Sequence, residues 1–209
     1  LAALAAGLRE LGVQRGDRVA AYLPNVPEAV IALLACASIG AVWSSCSPDF
    51  GAGSVVDRME QIEPKVLIAV DGYRYGGKDY DRIDVVARLQ REIPTLQKTI
   101  ILPYLAEDPD TSPLENVVMW DELLARHEGA ELSFEQVPFD HPLWVLYSSG
   151  TTGLPKAIVH SQGGILIEHL KKAVLHLDLG PDDRFFWFTT TGWMMWNLLV
   201  SGLLSGATA

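Results

Sequence analysis

Cysteine is scarce in this sequence, with two in 209 residues, Cys36 and Cys46. One falls in an apolar helix-like run and the other in a strand-like run, a spacing that supports neither a disulfide framework nor a zinc site and that fits a reduced, cytosolic setting. Long apolar runs are also missing. The longest, residues 29–43, is shorter than the ~20 residues a membrane span requires. It is punctuated by Pro27, Glu28 and Gly40, as expected for a buried helix followed by a strand. Positive charge is in short supply, with 16 Lys and Arg against 26 Asp and Glu, a formal charge of −10 and a pI near 4.9. An extended nucleic-acid surface is therefore excluded, because phosphate contacts need clustered Lys and Arg. A small charged substrate is not, since the chemistry of one loop can oppose the net field. No His or carboxylate cluster has ligand spacing, so no metal ligand is assigned. No signal peptide is visible. Residue one is Leu rather than Met, and residues 203–209 bring no closing element. The chain is expected to be a fragment, with a C-terminal domain outside it and the oligomeric state open.

What is present is the balance of a globular protein, 49% hydrophobic and 20% charged. After a helix-like start at residues 1–11, strand and helix patterns alternate. Strands are expected at 17–23, 41–46, 64–70, 99–102 and 143–147. Helices are expected at 27–39, 54–62, 83–91 and 120–127, the first of them capped by Asn25. Near-continuous apolar strands separated by helices indicate an α/β fold with largely parallel sheets flanked by helices. Residues 104–116, crowded with Pro and acids, read as a surface loop, and the glycine patch at 72–77 as ordinary loop chemistry. A composition break at residues 135–142 marks a possible subdomain boundary.

That break precedes the most informative stretch, Tyr147-Ser148-Ser149-Gly150-Thr151-Thr152-Gly153-Leu154-Pro155-Lys156. Six small residues there let backbone N–H groups and hydroxyls converge on an anion, and Lys156 adds a mobile positive charge. A flexible linker shares this composition. The strand pattern before the stretch and the Pro-Lys after it favour a phosphate-handling loop. It is not the G-x-x-x-x-G-K-[ST] class, because no Ser or Thr follows the lysine, and no G-x-S-x-G nucleophile elbow surrounds Ser148 or Ser149.

Together with Ala157-Ile158-Val159-His160, this stretch resembles the signature loop of the adenylate-forming superfamily, which comprises acyl-CoA synthetases, luciferases and peptide-synthetase adenylation domains. The resemblance runs back through Gly16-Asp17-Arg18-Val19-Ala20, Pro27-Glu28 and residues 34–42, and so covers essentially the whole chain. Within the superfamily, four stretches are similar to the acetoacetate-activating branch: residues 43–51, residues 61–67, Asp71-Gly72-Tyr73 and residues 189–197. The resemblance implies the N-terminal, AMP-binding part of the fold, as a partial domain over residues 1–209. It implies ATP-dependent activation of a small carboxylic acid, with acetoacetate as best expectation, to an acyl-adenylate that coenzyme A then captures. ATP, Mg2+ and coenzyme A are the implied cofactors and co-substrates.

Residue by residue, the resemblance gives phosphate binding to Ser148, Ser149, Gly150, Thr151, Thr152, Gly153 and Lys156, with Lys156 also catalytic. It places Trp193, Met194 and Met195 at the acyl pocket, where adaptable methionines could shape room for a longer polar acid. It sets Arg58 at a coenzyme A phosphate. Each has a plainer alternative: ordinary core for the Trp-Met cluster and a solvated helix arginine for Arg58. His160 reads as structural, His169 and His176 as a solvent-facing helix side with Lys171 and Lys172, and Cys46 as a buried thiol. Asp49 and Asp57 read as caps or surface carboxylates. An acetyl- or propionyl-CoA synthetase, a carrier-protein adenylation domain and a non-catalytic nucleotide-binding module stay open, and the 209 residues alone are expected to lack turnover.

Overall fold

The computed structural model describes residues 1–149 and 153–209. In chain order the elements are α1 (Ala2–Glu10), β1 (Arg18–Tyr22), α2 (Pro27–Ser38), β2 (Val42–Cys46), α3 (Ala52–Met59), continued by a 3-10 turn at Glu60–Ile62, and β3 (Val66–Val70). Next come β4 (Gly72–Tyr75), β5 (Lys78–Asp81), α4 (Ile83–Glu92), β6 (Lys98–Leu102), β7 (Val117–Met119), α5 (Trp120–Arg126), β8 (Pro142–Ser148) and β9 (Lys156–Ser161). Last are α6 (Gln162–Leu170), with a π-helical continuation at Lys171–His176, and α7 (Met194–Ser201), followed by a 3-10 turn at Gly202–Ser205.

Among the described residues one seven-stranded sheet has the order β7-β6-β3-β1-β2-β8-β9. Every neighbouring pair is parallel except β8 and β9. The α/β expectation therefore holds, and so does the reason for it. Side chains alternate across β1 and β3, so Val19, Ala21, Val66, Ile68 and Val70 pack on one face with α1, α2 and α5. Ala20, Tyr22, Leu67 and Ala69 pack on the other with α3 and α4. Both faces are covered, which is why β3 is apolar throughout and β1 is apolar after Arg18 up to the Tyr22 ring.

Two local expectations need correction. Asn25 does not cap α2. The cap residue is Val26 and no side chain serves it, because the Asn25 carboxamide is engaged elsewhere, its Oδ1 accepting from Trp196 Nε1 at 2.9 Å. The glycine patch at 72–77 is not a loop either: β4 and β5 form an antiparallel hairpin around Gly76-Gly77, with Tyr73 stacked on Tyr80 at 5.0 Å. The irregular stretch 104–116 is pinned at its start by buried Asp71, whose carboxylate accepts the amides of Tyr104, Leu105 and Ala106. Residues 128–141 are irregular too and are tied to the end of α2. The Glu135 amide donates to the Ser38 carbonyl at 2.8 Å, and His141 Nε2 lies 2.8 Å from the Gly40 carbonyl.

Candidate active site

The glycine- and serine-rich stretch connects two antiparallel strands. β8 runs into it and β9 leaves it, with Ser148 paired to Lys156 as the last rung of the ladder. Lys156 thus stands across from Ser148 at the mouth of the connection, and Ser148, Ser149, Gly153 and Lys156 are all exposed. This antiparallel return was not anticipated. The β-branched run Ile158-Val159 announces a strand, but nothing local says which neighbour it pairs with. Gly153 has φ of +121° with open space where a side chain would sit, so backbone conformation rather than crowding asks for glycine there. Gly150, Thr151 and Thr152 lie outside the described residues.

The connection opens at the carboxyl ends of the parallel strands, the edge where open α/β sheets collect ligands. The other elements reaching that edge converge on Phe50. Tyr22, at the end of β1, donates its phenol to the carbonyls of Pro48 and Phe50 at 2.8 and 3.0 Å, fixing the turn after β2. Burial pushes the Tyr22 phenol up to about 12, so it remains a donor at physiological pH. The Phe50 ring lies under the Arg58 guanidinium at 5.2 Å and against Gly192, where any Cβ would meet the ring at 2.7 Å. Only glycine allows that approach. It is the physical reason for the Gly before Trp193.

Trp193, Met194 and Met195 open α7 beside this cluster. The segment before them is stapled across the strand ends. Ser45 Oγ donates to the Thr191 carbonyl at 2.7 Å, and Thr191 Oγ1 donates to the Leu23 carbonyl at 2.6 Å. Of the Trp-Met run only Trp196 is core, fully buried and hydrogen-bonded to Asn25. Trp193 and Met194 are 63% and 56% exposed.

Arg58 is half-buried rather than a free solvated arginine. Its Nη1 donates to the Ser54 carbonyl at 2.7 Å and to the Ser54 hydroxyl, and its guanidinium lies between the rings of Phe50 and Tyr147. The Tyr147 phenol donates to the Arg58 carbonyl, and burial raises its pKa above the ordinary value. Cys46 is a buried thiol pushed up to about 12 by desolvation, which leaves no thiolate nucleophile. Asp49 and Asp57 are exposed.

The histidines behave differently from one another. His160 Nδ1 accepts from Trp144 Nε1 at 2.9 Å, a structural role as expected. His169 is not on a solvent-facing side: it packs 5.6 Å from the Trp144 ring, and burial lowers its pKa. His169 borders an apolar cavity of about 600 Å3 between α2, α6 and α7. That cavity contains none of the loop, Arg58 or Trp-Met residues, and its lining runs out onto the exposed apolar side of α6. The convergent polar groups lie at the strand ends instead.

The sequence profile of the AMP-binding enzyme family matches residues 1–209. The chain belongs to that family. Among AMP-binding enzymes it is similar to acetoacetyl-coenzyme A synthetase of Rhizobium meliloti (strain 1021), 50% identical over 96% of this chain and 31% of that protein. It is also similar to acetoacetyl-CoA synthetase of Mus musculus, 48% identical over 99% of this chain and 32% of the mouse protein. A solved structure of acetoacetyl-CoA synthetase from Streptomyces lividans superimposes with a TM-score of 0.92 at 66% identity, covering 99% of this chain and 31% of that one. The chain therefore spans about a third of the length of these AMP-binding relatives.

Proposed function

We propose that the enzyme to which this chain contributes is an AMP-forming acid–thiol ligase that activates acetoacetate and transfers it to coenzyme A. The observation that carries this reading is the hairpin mouth, where a lysine faces a serine beside a glycine- and hydroxyl-rich connection at the carboxyl edge of a parallel sheet. Relatives named acetoacetyl-CoA synthetase at 48% identity and above support the choice of acid.

In this reading a carboxylate oxygen attacks the α-phosphorus of ATP and the bond to the β-phosphate oxygen breaks, giving acyl-adenylate and pyrophosphate. The thiol of coenzyme A then displaces AMP. Ser148, Ser149, Gly150, Thr151, Thr152 and Gly153 present hydroxyls and backbone N–H groups to the departing oxygens. Lys156 neutralises charge that grows on them as the bond breaks, which favours the transition state over the ground state. Trp193, Met194 and Met195 hold the acid so that its carboxylate lies in line, replacing a chance encounter with fixed geometry. The exposure of Trp193 and Met194, with Met195 half-buried beside them, supports that role. Arg58 is the contact for a coenzyme A phosphate in the second step. Magnesium, the companion of ATP, would share the charge on the departing oxygens; the described residues hold no group of three or more His, Cys, Asp or Glu for it.

Pyrophosphate release by the full-length parent tests the assignment. Turnover with acetoacetate is expected to exceed that with acetate. The opposite order would overturn the pocket assignment, and no release with any small acid would overturn the ligase reading.

A further inference from the structure

Both stems of the loop are tied to the same helix end. The two ties end on neighbouring carbonyls in the last turn of α3, those of Asp57 and Arg58. The Arg58 carbonyl accepts the phenol of Tyr147, on the incoming stem one residue before Ser148. The Asp57 carbonyl accepts Gln61 Nε2 at 2.6 Å, and the second proton of the same amide nitrogen goes to the Pro155 carbonyl at 2.9 Å, on the outgoing stem one residue before Lys156. Gln61 thus spans 94 residues of sequence to reach the loop.

We propose that Gln61 is a positioning residue for the phosphate loop, fixing the outgoing stem and the lysine after it against α3. This rests on the proposed phosphate-binding role of the loop. The ladder rung between Ser148 and Lys156 sets the distance between the stems, and β8 is joined to β2 at Trp43 and Trp144 and by the Ser44 hydroxyl on the Val145 carbonyl, but these leave the loop end of the hairpin free to tilt relative to α3. Ties from both stems to one rigid helix remove that freedom. Lys156 is then held at a fixed offset from Arg58, on whose helix the tie is made. A loop already oriented loses less conformational freedom when it closes on a triphosphate, so the benefit falls on nucleotide binding.

The test uses the full-length parent, with acid-dependent ATP–pyrophosphate exchange measured for the wild type, Gln61→Met and Gln61→Lys. Gln61→Met keeps length and bulk but has no donor. It is expected to raise the KM for ATP about three- to tenfold, the effect of one hydrogen bond. The KM for the acid and the melting midpoint should stay at wild-type values, and Gln61→Lys, with a donor at the end of a long chain, should recover most of the loss. An unchanged KM for ATP in Gln61→Met, or equal rises for ATP and acid, would overturn the proposal. A wild type without exchange would instead count against the ligase reading. The tie itself is read independently by amide exchange of the peptide 147–156 without nucleotide: faster exchange in Gln61→Met supports the brace, and identical exchange overturns it.

Discussion

Lys156 illustrates how much a single side chain depends on the strand that begins with it. Its charge is useful only where it is placed, and the pairing with Ser148 places it at the mouth of the connection. Because it is exposed, its removal should leave folding almost untouched, within about 0.5 kcal/mol. Its effect on chemistry should be large. Lys156→Ala in the full-length parent is expected to lower kcat for pyrophosphate release by on the order of 10²–10³, the usual cost of one donor to a developing oxyanion. Lys156→Arg should recover part of it, because charge returns in a different geometry. Steady-state kinetics beside a melting curve checks both halves, and an unaffected kcat would remove Lys156 from the proposed step. Phe50 offers the contrasting case. Its ring touches nothing reactive, yet it sets how closely Gly192 and Arg58 approach each other.

Among the elements, the hairpin of β4 and β5 and the stretch after β6 are organised by one buried carboxylate. Asp71 is 4% exposed and receives three backbone amides from Tyr104, Leu105 and Ala106, so an irregular, proline-rich segment starts from a fixed point. Asp71→Ala strands those donors and is expected to cost about 2–4 kcal/mol, read as a lowered melting midpoint with amides 104–106 the first to exchange faster. An unaltered midpoint would show that water replaces the carboxylate at no cost.

Elements were also where local sequence was most and least informative. β3 was the most legible of the parallel strands because burial on both faces leaves it no polar position, as Val66-Leu67-Ile68-Ala69-Val70 shows. The start of α2 was legible from Pro27. Its cap was not, because Trp196, 171 residues away, takes the Asn25 carboxamide, and no local pattern encodes that demand. The β4–β5 hairpin carried its signal in Gly76-Gly77 between tyrosine-bearing runs, but three charged residues in the four of β5 masked the strand period. In the candidate site, the loop and the Trp-Met run could be singled out in the sequence by residue type alone. The clustering around Phe50 and the tie at Gln61 could not, since both join segments far apart in sequence.

For the whole molecule, the apolar surface is as telling as the site. Ile158 and Val159 on β9, Leu166 and Ile167 on α6, and Phe186 and Phe188 beyond it are all exposed, on a chain whose relatives are about three times as long. Exposed apolar side chains in neighbouring pairs, as on β9 and α6, are the kind of surface that is usually covered. The purified 209-residue chain is accordingly expected to show no ATP-dependent acyl-CoA formation, with thioester assays as the check. Measurable turnover would mean that the strand-end cluster suffices on its own.

The joint between β2 and β8 carries a consequence for biosynthesis. Trp43 pairs with Trp144, and the Ser44 hydroxyl donates to the Val145 carbonyl across 101 residues. At about 5–20 residues added per second, a ribosome needs roughly 5–20 s to deliver the second partner after the first. Throughout that interval β2 is the open border of a growing sheet, its amides and carbonyls facing out. Such a border is a template for misplaced strands. The nascent chain should therefore rely on folding helpers most heavily between the emergence of β2 and that of β8.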